Sequence, residues 1–165
     1  MLLGKIQSGK TKTFLAAIAL AFDNDFDIAI ILTKGTNALA RQTLERVRRE
    51  FGHFNNEQDR LQIFDILTVP AGLTGYELNQ KLIFVVKKQS DNLDRLEELF
   101  RDTYPQLAGK RVLIIDDEAD YASIGFRNTR QQGIITNTTT GQIDSLRQLL
   151  HDSAFLQVTA TPYSL

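Results

Sequence analysis

The stretch that most constrains the fold lies near the start of the chain, where residues 4–11 read Gly-Lys-Ile-Gln-Ser-Gly-Lys-Thr. It follows a short apolar stub and leads into a helical apolar pattern over residues 13–22. Glycines allow the backbone to curl around an anion with its N–H groups pointing inward, and the following helix adds its N-terminal dipole. The pattern predicts a phosphate-binding loop (P-loop) between a strand and a helix, with phosphate contacts from Gly4, Gln7, Ser8, Gly9, Lys10 and Thr11.

The last two residues of this loop predict its ligand. The ammonium group of Lys10 is of the kind that reaches β- and γ-phosphates, and the Thr11 hydroxyl is a ligand for magnesium. ATP and Mg²⁺ are therefore the expected cofactors. The alternative is a glycine turn that merely precedes a helix.

A cluster of acids far downstream supplies the second half of a nucleotide site. Residues 111–115 form a short β-branched run, which is followed by Asp116, Asp117, Glu118 and, after Ala119, Asp120. Ligands bind at the carboxyl ends of strands in open α/β sheets. One carboxylate there can hold magnesium and a neighbour can activate the attacking water. The alternative is an acidic helix start, because carboxylates favour helix N-termini.

The whole chain alternates strand and helix patterns. Apolar runs predict strands at residues 27–33, 61–67, 82–86 and 111–115. Helical periodicity predicts helices at residues 37–51, 91–104 and 143–151, the first with Leu39, Leu44, Val47 and Phe51 facing inward and the second capped by Ser90 or Asp91. This alternation predicts an α/β fold, a parallel β-sheet with helices on both faces, in a single domain over residues 1–165.

Composition excludes several classes of protein. The chain has 165 residues, no cysteine, a net charge of −1 and a pI of about 6.1. No apolar run approaches the length of a membrane span, so we expect no membrane partner and a cytoplasmic location. The charge is not that of a stand-alone DNA-binding domain. Local contacts to a nucleic-acid backbone remain a hypothesis for Lys34, Arg41 and Lys87, and the alternative for the arginines of this region is a solvated helix face.

Four motifs in the same order resemble those of the first motor lobe of superfamily 2 helicases and translocases. Residues 4–11 look like motif I, and Asp117-Glu118-Ala119-Asp120 matches the D-E-A-D form of motif II. Thr159-Ala160-Thr161-Pro162 is similar to motif III, and Thr33-Lys34 with Leu39-Ala40-Arg41-Gln42 is similar to motif Ia. The resemblance implies a RecA-like P-loop NTPase lobe and covers nearly the whole chain.

The resemblance also implies roles for single residues. Lys10 and Glu118 are the expected catalytic residues, Glu118 acting on the attacking water, and Asp117 with Thr11 is expected to hold magnesium. Asp120, Thr159 and Thr161 are expected to couple the motifs. The expected function is Mg²⁺-dependent ATP hydrolysis coupled to movement on DNA, with RNA as the open alternative and with a second motor lobe later in the same chain.

A narrower resemblance points to a bacterial group of putative endonucleases associated with restriction and DNA processing. It depends on residues 7–11, 85–88, 116–124, 143–150 and 159–162.

Two other classes of function stay open at this stage. The chain could be a self-contained P-loop NTPase or kinase of another class, or a non-catalytic nucleotide-binding interaction module. Residues 125–141 show no period and are expected to form a mobile loop over the site or a disordered segment.

Overall fold

A computed structural model describes residues 2–3, 10–34, 36–52, 61–117 and 139–159 of the chain. Its helices are α1 (Lys10–Asp23), α2 (Asn37–Phe51), α3 (Gly75–Leu78), α4 (Ser90–Glu98) and α5 (Thr139–Leu149). Its strands are β1 (Leu2–Leu3), β2 (Ile28–Thr33), β3 (Leu61–Asp65), β4 (Lys81–Lys87), β5 (Arg111–Asp117) and β6 (Asp152–Thr159).

These strands form one sheet in the order β1-β6-β5-β2-β4-β3, and every pair of neighbours is parallel. Parallel strands that are covered on both faces consist of continuous apolar residues, as the central strands do here. All six residues of β2 are buried, and so are the five inner residues of β4. The predicted α/β fold with a parallel sheet is thereby confirmed.

Two apolar cores lie on opposite faces of the sheet, because side chains alternate along each strand. On one face, Ala29 and Ile31 of β2 pack with Phe14 and Ile18 of α1 and with the buried side of α2. On the other face, Ile28, Ile30 and Leu32 of β2 pack with Leu93 and Leu96 of α4 and Ile143 and Leu146 of α5. We call these the α1/α2 face and the α4/α5 face. Helices on both faces are as predicted.

The predicted bounds of α2 are confirmed, but one of its inward residues is wrong. Leu44, Val47 and Phe51 are buried, whereas Leu39 is 47% exposed. Leu39 precedes Leu44 by five positions, which rotates it by about 140° around the helix axis from the buried Leu44. Ala40, four residues before Leu44, continues the packed side instead and is half-buried.

Other elements differ from prediction at their ends. The strand predicted over residues 61–67 stops at Asp65, whose carboxylate caps a 3-10 turn, Ile66–Thr68. The helix predicted over 91–104 is α-helical only to Glu98 and continues as a π-helical turn, Leu99–Thr103. The cap predicted at Ser90 or Asp91 is wrong. Gln89 is the N-cap, and the Ser90 oxygens accept hydrogen bonds from Gln142 instead.

The segment 125–141 was expected to lack regular structure, and its last three residues contradict this. Thr139, Thr140 and Gly141 form the first turn of α5, and the rest of the segment lies outside the described residues. None of the helices in the described part of the chain combines the length and the apolar character needed to cross a bilayer.

Candidate nucleotide site

The carboxyl ends of β1, β6 and β5 lie side by side at one edge of the sheet. The register pairs Leu3 with Thr159 and Val158 with both Leu2 and Asp117, so the three strands end at nearly the same level. Gly4, Glu118 and Ala160 are the residues that follow these ends in the chain. The fold therefore brings the beginnings of the three sequence motifs to one edge, although they are separated by more than a hundred residues at the extremes.

The helices described next after β1 and β5 lie on opposite faces of the sheet. The chain that leaves β1 continues into α1 on the α1/α2 face, and the next helix described after β5 is α5 on the α4/α5 face. The end of β6 lies between them. In open α/β sheets, the carboxyl edge next to strands whose helices lie on opposite faces is the usual place for a ligand.

Asp117 belongs to the strand itself rather than to the loop after it. β5 continues two residues beyond the predicted end, because residues 116 and 117 stay paired with Gln157 and Val158 of β6. Leu113 and Ile115 pack on the α1/α2 face, so Asp117 shares that face by alternation. It is half-buried. Its carboxylate is a hard oxygen donor of the kind that Mg²⁺ prefers, and it lies on the same face as the helix that begins with Lys10.

The structure places the backbone of Lys10 and Thr11 in the first turn of α1, as the phosphate-loop hypothesis requires. Thr159 is the last residue of β6. The remaining predicted site residues lie outside the described residues: Gly4, Gln7, Ser8, Gly9, Glu118, Asp120 and Thr161. Within the described ranges, no group of three or more histidine, cysteine or acidic side chains has the arrangement of a metal site.

Asp116 has an ion pair that sequence reasoning missed. Its side chain is fully buried, and its Oδ1 accepts a hydrogen bond from the Nζ of Lys88 at 2.5 Å. Lys88 follows β4, so its side chain spans the end of β2 to reach β5. The two residues are 28 positions apart. The sequence favours a structural role for Asp116, or a role as partner of the metal-binding acids, but it gives no sign of Lys88 as the cation that pairs with it. In the sequence, Lys88 is only the neighbour of Lys87, one of the candidate nucleic-acid contacts.

Lys87 and Lys88 are consecutive residues at the end of β4, so their side chains point to opposite faces of the sheet. The Nζ of Lys87 donates to Oδ1 of Asn37, the first residue of α2, at 3.0 Å. The preceding Thr36 caps α2 by accepting from the backbone N–H of Leu39. Lys34 follows β2, and Thr33 pairs with Lys87 in the sheet. Lys34 and Lys87 therefore both lie near the start of α2.

Arg41 lies one turn further along α2 and is 80% exposed. Its Nε donates to Oε1 of Glu45 at 3.2 Å, an i,i+4 pair of the kind found on solvated helix faces. The structure thus places the Lys87 side chain at the start of α2, with Lys34 just before that helix in the chain, while Arg41 is directed toward its own helix neighbour.

A polar contact between α4 and α5 lies on the α4/α5 face. The Nε2 of Gln142 donates to Oδ1 of Asp94 at 2.6 Å and to Oγ of Ser90 at 2.9 Å. Gln142 is buried, in a helix whose first turn the sequence had assigned to a loop. Because Ser90 follows Lys88 by two residues, this contact anchors the start of α4 next to the Lys88–Asp116 pair.

A scan against models of known protein families finds no match, and no curated protein matches the chain. The assignment of a function therefore depends on the motifs and on the geometry of this edge.

Proposed function

We propose that the chain is an ATP-binding lobe of a nucleic-acid-dependent ATPase of the superfamily 2 helicase and translocase class. The observation that carries the proposal is the meeting of β1, β6 and β5 at one edge, with Asp117 on the face covered by α1. The motifs at the ends of these strands are those that the ATPase needs close together. If the glycine pattern of residues 4–11 had arisen by chance, there would be no reason for it to follow a strand whose end lies close to the acidic end of β5.

In this proposal each residue has a distinct task. Backbone N–H groups of Gly4, Gln7, Ser8 and Gly9 surround the phosphates, and Lys10 offsets their charge. Thr11 and Asp117 hold magnesium, which when bound neutralises charge on the β- and γ-phosphates. Glu118 accepts a proton from the attacking water. Asp120, Thr159 and Thr161 link the acid strand to β6.

The proposed polymer contact is the start of α2. Lys34 and Lys87 offer cations beside a helix N-terminus, a combination that suits a phosphate backbone. Arg41 is included as a third contact that would exchange Glu45 for phosphate. The choice of DNA and the link to restriction-associated endonucleases follow from the sequence resemblance, and both are part of the proposal. A second motor lobe would complete the site across the crevice.

The direct test is nucleotide binding by this chain in the presence of magnesium, measured by calorimetry. Lys10→Ala should lose most of the affinity for ADP and ATP, because it removes a positive charge beside the β- and γ-phosphates. Lys12→Ala is the matched control, since Lys12 is an exposed lysine of the same helix. Equal affinity in the two variants would contradict the site assignment.

A second measurement separates the motor from a self-contained P-loop enzyme. In the proposed motor, arginines of another lobe act on the γ-phosphate, and such residues account for about 10³ to 10⁵ in rate. The chain on its own should therefore hydrolyse ATP slowly. Rapid turnover by these 165 residues alone would favour the self-contained enzyme.

A further inference from the structure

The geometry points to Lys88 as a positioning residue for the proposed magnesium site, acting through Asp116 on the neighbouring Asp117. This inference rests on the proposed function, because it assigns a task to a residue outside the recognised motifs. Lys88 itself would touch neither nucleotide nor metal. Its task is to fix the end of β5 so that the Asp117 carboxylate faces α1.

The first argument is the alternation of faces at the end of β5. Asp116 shares the α4/α5 face with Ile114, and Asp117 shares the α1/α2 face with Ile115. The two side chains belong to adjacent residues, so a rotation of the backbone that moved one would move the other. An anchor on the Asp116 side chain therefore also sets the direction of Asp117.

The second argument is that the anchor is itself held at several points. The side chain of Lys88 is only 7% exposed, and its backbone N–H donates to the Thr33 carbonyl at 2.7 Å. α4 begins two residues later, where Gln142 holds Ser90. Lys88 thus links the ends of β4 and β5 through its ion pair, and the ends of β4 and β2 through its backbone hydrogen bond, at the edge where the nucleotide is proposed to bind.

The third argument is that stability alone does not account for the pair. Taking two charges out of water is costly, and apolar side chains of similar volume often stabilise a core as well or better. The ion pair at the other end of β4 requires less desolvation, because Lys81 and Asp27 pair at 3.3 Å with a third of each side chain exposed. The buried pair occurs at the carboxyl edge, one residue from the proposed metal ligand.

The pair also affects the charge near the site. Asp116, Asp117 and Glu118 are consecutive carboxylates, which repel one another at short range. The ammonium of Lys88 balances the charge of Asp116 on the far face of the sheet. Residues that hold and orient a metal ligand in this way typically change metal affinity by 10- to 100-fold when they are replaced.

The test uses the 165-residue chain and a fluorescent ADP analogue as the probe. The affinity is measured with Mg²⁺ and again with EDTA, and the ratio of the two affinities reports on the metal site. A variant that only destabilised the fold would lower the unfolding temperature and would lower both affinities by the same factor. The ratio of the two affinities would then stay unchanged. Lys88→Met should lower the ratio by about tenfold or more. Lys88→Arg, which keeps the charge, should restore most of it.

Two further variants keep the test decisive. Lys88→Met leaves Asp116 buried without its lysine and could unfold the chain, so Lys88→Met/Asp116→Asn removes both charges and should fold with the same low ratio. Lys81→Met removes the lysine at the opposite end of β4 and should keep the ratio of the unaltered chain.

The possible outcomes separate this inference from the function that underlies it. One outcome is that Asp117→Asn brings the ratio of the two affinities to about one while Lys88→Met and the double variant keep the ratio of the unaltered chain. In that case the role of Lys88 is wrong and the proposed function stands. If the unaltered chain binds ADP equally with and without magnesium, or does not bind it at all, both are wrong.

Discussion

At the scale of single residues, adjacent acids at the end of β5 have different environments. Asp116 is buried and paired with Lys88, while Asp117 is half-buried on the face covered by α1. One acid is suited to holding the strand and the other to binding a cation. Two consecutive residues of the same chemical type can therefore be assigned separate tasks, and the tasks are separable by substitution.

Removing Asp116 should destabilise the fold strongly. Asp116→Ala leaves the buried Lys88 without its carboxylate, and breaking one partner of a buried pair costs about 3–5 kcal/mol. Lys81→Met breaks the partly exposed pair with Asp27 and should cost about 1 kcal/mol or less. Urea unfolding of both variants gives the comparison. Similar losses in the two would mean that burial of the Lys88 pair has no special energetic consequence.

Glu118 should matter for turnover more than for binding. Glu118→Gln removes the proposed proton acceptor while it keeps the shape of the side chain, so ATP should bind and not be hydrolysed. Asp117→Asn should instead weaken binding in magnesium. Equilibrium binding and phosphate release, measured in a chain that includes the proposed second lobe, distinguish these effects. The reverse pattern would mean that the two acids exchange roles.

At the scale of elements, the start of α2 combines a helix cap with the proposed polymer contact. Thr36 accepts from the backbone N–H of Leu39, and Lys87 reaches Asn37 from the neighbouring strand. The first turn of α2 contains no acidic residue that would repel a phosphate. The cap fixes the first turn of α2, and the contact between Lys87 and Asn37 links that turn to the end of β4.

Replacing the cap should loosen this helix. Thr36→Ala removes the acceptor for a backbone N–H of the first turn and should cost about 0.5–2 kcal/mol. Thr43→Ala in the same helix is the matched control, and it should be neutral or slightly stabilising because alanine is the better helix former. Thermal unfolding measures both changes. An unchanged unfolding temperature in Thr36→Ala would argue that the cap is not formed in solution.

A second capping arrangement predicts a dependence on pH. Glu77 accepts from the backbone N–H and the hydroxyl of Thr74, and these two bonds, the backbone bond foremost, lower the pKa of Glu77 below its ordinary value of 4.5. Since the folded pKa is the lower one, this stabilisation is present above pH 4.5 and is lost as the pH falls through the folded value. An NMR titration should show the pKa of Glu77 rising in Thr74→Val.

At the scale of the whole molecule, the strand order decides what can act together. β1, β6 and β5 are neighbours although β1 and β5 are far apart in the chain, and their carboxyl ends form one edge. β2 and β4 extend the same edge toward the start of α2. The proposed nucleotide and polymer contacts therefore share one rim of one sheet, with the Lys88–Asp116 pair between them.

Reversing charge at the proposed polymer contact should change the salt dependence of binding. A triple variant with glutamate at Lys34, Arg41 and Lys87 should bind DNA more weakly, and the slope of log K against log salt should fall by about 0.7 to 0.9 per lost phosphate contact. A control triple variant with glutamate at Arg46, Arg48 and Arg49 changes the same charge further along α2. Fluorescence anisotropy of a chain that includes the proposed second lobe, at several salt concentrations, gives the slopes. If both variants keep the original slope, these cations belong to a solvated face.

The sequence by itself determined the class of fold and most of its elements. Continuous apolar runs such as residues 82–86 indicate strands buried on both faces, and the bounds of α2 followed from its periodicity. Local patterns suffice for these features because the spacing of apolar residues and the residues that form the flanking turns are close together in the chain. The glycine-rich loop and the acids were likewise visible as a candidate site, although most of the loop and Glu118 lie outside the described residues.

Only the tertiary structure decided how these elements meet. Strand order, the continuation of β5 through Asp117 and the opposite directions of the two acids depend on backbone pairing with β6, which no local pattern encodes. The Lys88–Asp116 pair spans an intervening strand, so the sequence around either residue does not predict its partner. Leu39 is exposed although it is apolar, because the rotation of α2 is set by the face that packs on the sheet. Contacts between residues distant in the chain form only when the sheet aligns the strand ends, and they are therefore properties of the fold.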